Sequence, residues 1–251
     1  MNSLDSNRRE FLTAAATGTA ALLVADTAFA QTTKEATMAT DVIVPAFAGG
    51  HQPKPLPFDA GKLKGLSRTL IESHWGNNYG GSVKTLNAVK QQLTQALATP
   101  DTPPFVYNGL KREHLMRTGS VVLHELYFDN LGGNGQADSD VRTLLAKQFG
   151  TFDRWETEFR KIAQGLGGGS GWVILGYNTH LETIENYWLW DHLHFPASTV
   201  PLLVMDMYEH SYQMDYGAAA AKYIDAFFQN INWSTVAQRI EHSRIGIKAA
   251  V

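Results

Sequence analysis

Apolar positions in the first half of the chain recur at the spacing of a helix. Four of these apolar positions stand three or four residues apart, namely Leu86, Val89, Leu93 and Leu97. Polar residues lie between them. This period favours an amphipathic helix over a strand. We expect a helical segment from about Leu66 to Leu97, capped by Ser67 and kinked at Gly80-Gly81. A second helix is predicted from about Lys111 to Leu131.

The second half mixes helical and strand patterns. Two amphipathic helices are predicted, from about Ser139 to Phe149 and from Phe152 to Gln164. Three strand-like segments rich in aromatic and β-branched residues follow: Trp172–Tyr177, Leu181–Asp191 and Thr199–Met205. The end is predicted as helical, from Tyr208 to Phe228 and again after Trp233. Helices followed by mixed helices and a small sheet indicate an α+β fold.

A glycine-rich run, Gly132-Gly133-Asn134-Gly135, separates these two patterns, and we place a domain boundary there. The predicted organisation is a signal peptide over residues 1–30, a mobile leader over 31–52, a helical hairpin domain over 53–133 and a C-terminal α/β domain over 134–251. The leader is predicted from its small, polar and aperiodic residues.

The first thirty residues carry the pattern of an export signal. Arg8 and Arg9 precede Glu-Phe-Leu and a stretch rich in Ala, Thr and Leu, which ends in the cleavage pattern Ala28-Phe29-Ala30. This resembles a twin-arginine signal. An uncleaved membrane anchor is the alternative, but the apolar run is short and interrupted. We expect a periplasmic or otherwise exported protein with no stable membrane insertion after processing.

Composition narrows the chemistry that the chain can perform. There is no cysteine, which excludes disulfides, thiolate ligands and thiol nucleophiles. Any metal must be held by His and carboxylate side chains, which favours iron, manganese or zinc over copper(I) or an iron–sulfur cluster. The formal net charge is −3 and no basic patch is evident, so no nucleic-acid partner is expected.

The segment from Asp206 to His210 is the candidate metal-binding pattern. Asp206 follows the apolar run Val200–Met205, where a carboxylate is costly unless it is paired or bound to a metal. His210 can face the same way on a helix, or the two side chains can converge at a strand-to-helix turn. Ordinary helix capping by Asp206 is the alternative.

Separate motifs along the chain resemble, in order, those of iron/manganese superoxide dismutases. Asp206–His210, followed by Ser211-Tyr212, resembles the family signature Asp-x-Trp-Glu-His-Ala-Tyr. Glu72-Ser73-His74 resembles the first metal-binding helix, and Leu123–Phe128, which contains His124, resembles the second. The remaining matches, within roughly Pro53 to Ile240, are Pro55–Asp59, Gly169–Trp172, Pro201–Leu203 and Asn232-Trp233.

This resemblance implies a fold, a site and a reaction. The fold is an N-terminal helical hairpin followed by a mixed domain with a three-stranded antiparallel sheet. The site is one iron or manganese ion per subunit, bound by His74, His124, Asp206 and His210. The reaction converts superoxide to oxygen and hydrogen peroxide. The sequence leaves the choice between iron and manganese open.

The residues around these four implied ligands depart from the family pattern. Asn78 and Ser82 stand where the family has a His and a Tyr, and Tyr208 replaces a Trp. Further departures are Phe128 for a Trp, Gln213 for a Tyr, and Ser120 with Leu189 or Trp190 at two places that supply a Gln. The alternatives are therefore a non-dismutase metal-binding or redox protein on the same scaffold, or a relative without metal.

The resemblance also implies a homodimer. In the family, the Glu beside the last ligand reaches the metal-binding His of the partner, and Glu209 holds that place. We expect Glu209 to bond to His210 of the partner subunit and orient that ring. Asn78 and Gln213 replace a second bridge of the family, and two amides can bond to each other. A solvated helix glutamate is the alternative for Glu209.

Overall fold

The computed structural model describes the chain from Val44 to Lys248, with side chains up to Ser243. The predicted signal peptide and residues 31–43 of the predicted leader lie outside the described residues. Within residues 44–248, no helix combines the length and the apolar character needed to cross a membrane.

The N-terminal half is a helical hairpin. Helix α1 spans Arg68–Ser73, α2 spans Gly80–Ala98 and α3 spans Pro104–Asp129. Ser67 caps α1 as predicted, since its hydroxyl accepts a hydrogen bond from the amide of Leu70 at 3.1 Å. Helix α3 begins at Pro104, before the predicted Lys111. Proline suits the first position of a helix because its missing N–H is not needed there.

A π-helical turn over His74–Tyr79 joins α1 to α2. The amide of Gly80 bonds to the carbonyl of Trp75, five residues back, instead of four. The predicted kink at Gly80-Gly81 is therefore misplaced: the irregular turn precedes these glycines, and they begin α2 as regular helical residues.

The C-terminal half contains helices α4, Ser139–Phe149, and α5, Phe152–Gly165, followed by strands β1, Trp172–Asn178, β2, Thr183–Leu189, and β3, Thr199–Asp206. The strands form one antiparallel sheet in the order β2-β1-β3. This confirms the predicted α+β class and three-stranded antiparallel sheet.

The end of the chain departs from the single helix predicted over Tyr208 to Phe228. A 3₁₀ turn, Glu209–Ser211, is followed by the short α6, Gln213–Tyr216, and then by α7, Ala220–Gln229. Gly217, with φ +52°, separates α6 from α7 in a conformation that favours glycine. The final helix, α8, spans Trp233–Lys248.

Polar residues tie the hairpin to the sheet. Asn130, which follows α3, donates a hydrogen bond from its amide to the carbonyl of Val204 in β3 at 2.6 Å. Arg239 of α8 donates in turn to the side-chain oxygen of Asn130, also at 2.6 Å. Because Asn130 is fully buried, breaking these hydrogen bonds would leave buried polar groups without a partner and without access to water. Helix α3 and strand β3 are therefore fixed side by side.

Buried apolar residues from both sides of the glycine-rich run belong to one hydrophobic core, including Leu70, Leu123, Val173 and Phe227. The domain boundary at Gly133 stays a prediction from the sequence.

Residues 48–54, which we call the N-terminal strap, lie against the hairpin. The side chain of Asn87 in α2 accepts hydrogen bonds from the amides of Gly50 and His51 at 2.9 and 3.0 Å. Glu125 in α3 contacts the side chains of His51 and Lys54, both at 2.6 Å, and accepts a bond from Tyr79 at 2.9 Å. The strap thus includes residues 48–52 of the predicted leader.

Candidate metal centre

Four side chains from the two halves of the fold converge at one point. The π turn supplies His74, α3 supplies His124, β3 ends in Asp206, and the 3₁₀ turn supplies His210. Each offers one ligand atom, and these atoms lie within 4.8 Å of one another. Asp206 therefore ends a strand and His210 follows in a turn, which is the strand-to-helix arrangement rather than a shared helix face.

The spacing of these atoms suits a shared metal ion. The Nε2 atoms of His74, His210 and His124 lie 3.1, 3.2 and 3.6 Å from Oδ2 of Asp206. Two ligands at about 2.1 Å from one ion stand roughly 3.0–4.2 Å apart, depending on the angle between them. Three imidazoles around one carboxylate oxygen are a donor set for iron or manganese.

Buried nitrogen atoms without hydrogen-bond partners provide an independent test of whether a metal ion fits between these side chains. Both ring nitrogens of His74 and Nε2 of His124 are buried and lack a hydrogen-bond partner within the described residues. His74 Nε2 is close to Asp206, but the contact is not aligned as a hydrogen bond. Buried polar atoms are rarely left without partners, and a coordinated ion would satisfy Nε2 of both rings.

The backbone of α3 fixes the tautomer of His124. Its Nδ1 lies 2.7 Å from the carbonyl oxygen of Ser120, one helical turn earlier. A carbonyl only accepts hydrogen bonds, so Nδ1 carries the proton and Nε2 keeps its lone pair for a metal. The hydroxyl of Ser120 bonds to that of Ser82 in α2 at 2.8 Å, and both residues are buried.

The orientation of Asp206 also depends on main-chain groups. Its Oδ1 accepts a hydrogen bond from the amide of Tyr208 at 2.8 Å. Its own carbonyl accepts bonds from the hydroxyls of Tyr223 and Ser211 at 2.7 and 3.0 Å. These contacts turn Oδ2 toward the three imidazoles.

Burial and mutual proximity set the charges of the candidate ligands. Burial alone would raise the pKa of Asp206, but His210 and His74 beside it hold that pKa well below its usual range. Burial lowers the pKa of His124 to about 3 and also lowers that of His74. At neutral pH the carboxylate is ionised and these imidazoles are neutral, which is the state that metal binding requires.

A cavity of about 310 Å³ opens beside His124 and His210. Its other lining residues are Asn77, Asn78, Gly81, Ser82, Thr85, Arg117, Ser120 and His192. The structure thus brings Asn78 and Ser82, which the sequence placed around the metal, to the wall of this cavity. Tyr208 stacks on the ring of His210, with ring centres 5.2 Å apart.

Sequence reasoning missed His192. The family resemblance pointed to Leu189 or Trp190 at this place, but Leu189 is buried in the core and Trp190 is 62% exposed. His192 lines the cavity and stacks on Tyr208 at 4.7 Å. His192 lies two residues beyond Trp190, so a loop after β2 that is two residues longer than in the family is the signal that would indicate it.

Two contacts hold His192 in place. The indole of Trp172 donates to its Nδ1 at 3.0 Å, so a neutral ring carries its proton on Nε2. Burial lowers the pKa of His192, which keeps the ring neutral at pH 7. Its carbonyl oxygen would lie only 1.9 Å from a Cβ atom on Gly119, so α3 can approach this loop only with glycine at that position.

Glu209 and Gln213, the two residues predicted at a dimer interface with Asn78, are exposed. The side chain of His210 is 25% exposed, whereas those of His74 and His124 are at most 1% exposed. His210, the last candidate ligand, therefore reaches the surface beside Glu209.

Comparisons with known proteins show which family the chain resembles. Residues 137–239 match the family model for the C-terminal domain of iron/manganese superoxide dismutases. An iron superoxide dismutase of Cupriavidus metallidurans is 50% identical over 75% of this chain and 95% of its own length. An iron enzyme of Aquifex pyrophilus is 33% identical over 71% of this chain and 86% of its own length.

A manganese superoxide dismutase of Mycolicibacterium fortuitum is 31% identical, over 73% of this chain and 89% of its own length. The similarity to each of these relatives extends beyond the C-terminal domain. The resemblance first carried by short motifs is thereby confirmed: the chain belongs to the iron/manganese superoxide dismutase family.

Proposed function

We propose that this superoxide dismutase holds one iron ion per subunit between His74, His124, Asp206 and His210, and that it acts as an exported homodimer. The observation that carries the metal assignment is the convergence of three imidazole nitrogens on one oxygen of a buried carboxylate. The reaction is the one for which its relatives are named.

The residues of the centre prepare the site for this chemistry. When bound, the metal would supply the change of valence by which one superoxide is oxidised to oxygen and another, taking up two protons from water, is reduced to hydrogen peroxide. The carbonyl of Ser120 and the amide of Tyr208 orient His124 and Asp206. The cavity gives a small anion a path to His124 and His210, and the Nε2–H of His192 offers it a hydrogen bond.

Iron is favoured over manganese by the relatives. The Cupriavidus protein, named for iron, is 50% identical, whereas the Mycolicibacterium protein, named for manganese, is 31% identical. The donor set itself suits both metals, so identity is the support for this choice.

Elemental analysis tests the metal and the reaction together. The protein is produced with both metals available, and its metal content is compared with its rate of superoxide removal. We expect about one iron per subunit and activity that follows iron content. A fully active protein that contains manganese would contradict the choice of iron but not the assignment of the metal site. A protein without bound metal would contradict the assignment of the site itself.

The homodimer proposal rests on the exposed part of the His210 ring and on Glu209 beside it. His210 faces Asp206 through Nε2, its side chain is partly exposed, and Glu209 beside it has no side-chain partner within the described residues. A carboxylate from a second copy could accept the Nδ1–H of His210 and make that ring a better ligand. Asn78 and Gln213 would lie close together across the same interface.

Changing Glu209 tests this coupling. Glu209→Ala should weaken dimerisation and metal retention together, whereas Glu241→Ala, at an exposed position of α8, should change neither. Light scattering at micromolar concentration and metal content report the two properties. A wild-type monomer with full metal content would contradict the coupling.

The export proposal rests on Arg8 and Arg9 and the cleavage pattern that ends at Ala30. The twin-arginine route carries folded cargo, so metal could be bound before the protein leaves the cytoplasm. Changing both arginines to lysine should leave uncleaved precursor in the cytoplasm. Normal processing and release of that variant would contradict the route.

A further inference from the structure

The cavity beside the candidate metal centre has one formally charged residue among the described residues that line it. The rest of the wall is made of glycine, amides, hydroxyls and imidazoles. The charged residue is Arg117. An anion inside this cavity would therefore meet a single fixed positive charge from the protein.

Helix geometry places Arg117 on the same face of α3 as the candidate ligand His124. Arg117, Ser120 and His124 stand at positions i, i+3 and i+7 of α3, so they share one face of the helix. Seven residues correspond to about 10.5 Å along the helix axis. All three residues line the cavity, with Arg117 two turns away from the ligand.

A neighbouring carboxylate positions the guanidinium. Nε of Arg117 donates to Oε1 of Glu113 at 2.6 Å, one turn earlier on α3. The two side chains are 31% and 33% exposed. Neither Nη atom has a hydrogen-bond partner within the described residues, so the outer edge of the fork remains available to a second anion.

We propose that Arg117 is the residue that selects for anions in this cavity, and that Glu113 positions it and moderates its charge. The proposal rests on the proposed function, because superoxide is the anion that must enter. A charge on a residue two helical turns from the candidate ligand, at the mouth of a cleft, raises the local concentration of anions by about two- to tenfold at low salt. The surrounding amides and hydroxyls can hydrogen-bond an anion but cannot attract it from solution.

The test uses the iron-loaded protein with sodium azide, a small monoanion that stands in for superoxide. Azide affinity is read from the visible absorption spectrum, and kcat/KM for superoxide is measured in parallel, at low and at high ionic strength. Three variants are compared with the wild type: Arg117→Gln, Arg117→Lys and Glu113→Gln. The last keeps an acceptor for Nε and removes the negative charge.

At low salt, Arg117→Gln should weaken azide binding and lower kcat/KM by about two- to tenfold, with kcat unchanged. Arg117→Lys should retain most of both, and Glu113→Gln should strengthen azide binding. These differences should shrink at high salt because exposed charges are screened. A purely structural role would instead weaken binding in all three variants and at every salt concentration.

Equal azide affinity in wild type and Arg117→Gln at low salt would overturn the proposal, and so would a loss in Arg117→Lys as large as in Arg117→Gln. If the iron-loaded wild type gave no azide-dependent spectrum, the metal site itself, and with it the proposed function, would be at fault. Metal content measured on each variant separates these two failures.

Discussion

The four candidate ligands and the residues that surround them follow different rules. The ligands are the types that the family uses, whereas Ser82, Tyr208 and Phe128 differ from their family counterparts. The structure explains how both can hold. His124 is oriented by the carbonyl of Ser120, and Asp206 by the amide of Tyr208. Main-chain groups are the same whatever side chain is attached, so these neighbours can change without moving the ligands.

The residues around the candidate ligands contact one another. Ser82 and Ser120 bond to each other, and His192 stacks on Tyr208, which stacks on His210. These side chains therefore contact one another as well as the candidate ligands. The comparison therefore separates residues that hold the metal from residues that shape the space beside it, and the following variants test that separation.

The largest effect is expected inside the ligand set. His124→Ala should abolish stoichiometric metal binding and lower the melting temperature of the metal-loaded preparation by about 10 °C, since an ion bound only by the native state stabilises it. Elemental analysis and thermal unfolding measure this. His180→Ala, at an exposed position in the turn between β1 and β2, is the matched control and should bind metal normally.

A change in the surrounding set should separate activity from metal content. His192→Phe removes the Nε2–H at the cavity wall and should lower kcat roughly ten- to hundredfold while iron remains bound. His192→Gln retains a donor and should recover much of the loss. If His192→Phe lost its iron, the distinction between the two sets would not hold at this residue.

Gly119→Ala should act through sterics alone. The added methyl would meet the carbonyl oxygen of His192 at 1.9 Å, so α3 or the loop must move, at an expected cost of about 1–3 kcal/mol. Gly109→Ala on the same helix meets nothing within 4 Å and should be neutral or slightly stabilising. Denaturant unfolding of both variants checks the difference, and equal stabilities would contradict the close approach.

The smallest effect is expected at Glu125, next to His124 in sequence but bonded to the N-terminal strap. Burial alone would raise the pKa of Glu125, but Lys54, His51 and Tyr79 lower it. A lowered pKa stabilises the fold above the unfolded value of about 4.3, and this contribution disappears as the pH falls through the folded value. Glu125→Gln should therefore cost about 1 kcal/mol at pH 7 and less at pH 4, with metal content unchanged. Loss of metal in this variant would show that the strap also supports the centre.

Local patterns were enough to predict much of the fold. The bounds of α4 follow from its apolar period, and the start of α1 from the capping residue Ser67. The break between α6 and α7 was missed because the segment from Tyr208 to Phe228 keeps a helical composition, and tertiary contacts decide where its helices stop.

The candidate ligands could be predicted from the sequence, whereas His192 could not. Asp206 and His210 stand at a fixed spacing within a recognisable motif, which the sequence displays directly. His192 lies in the loop between β2 and β3, and the length of a loop does not reveal which of its residues turns inward. Only the contacts with Trp172 and Gly119 settle its position.

The π turn at His74–Tyr79 has a genetic consequence. A gene that lost one codon within this turn, after that for His74, would encode a segment able to run from Arg68 to Ala98 as an uninterrupted α-helix. The part before the deletion would then rotate by about 100° and slide by about 1.5 Å relative to α2. His74 would be carried away from Asp206. The smallest in-frame deletion that makes this helix more regular would therefore displace one of the four candidate ligands from the metal centre.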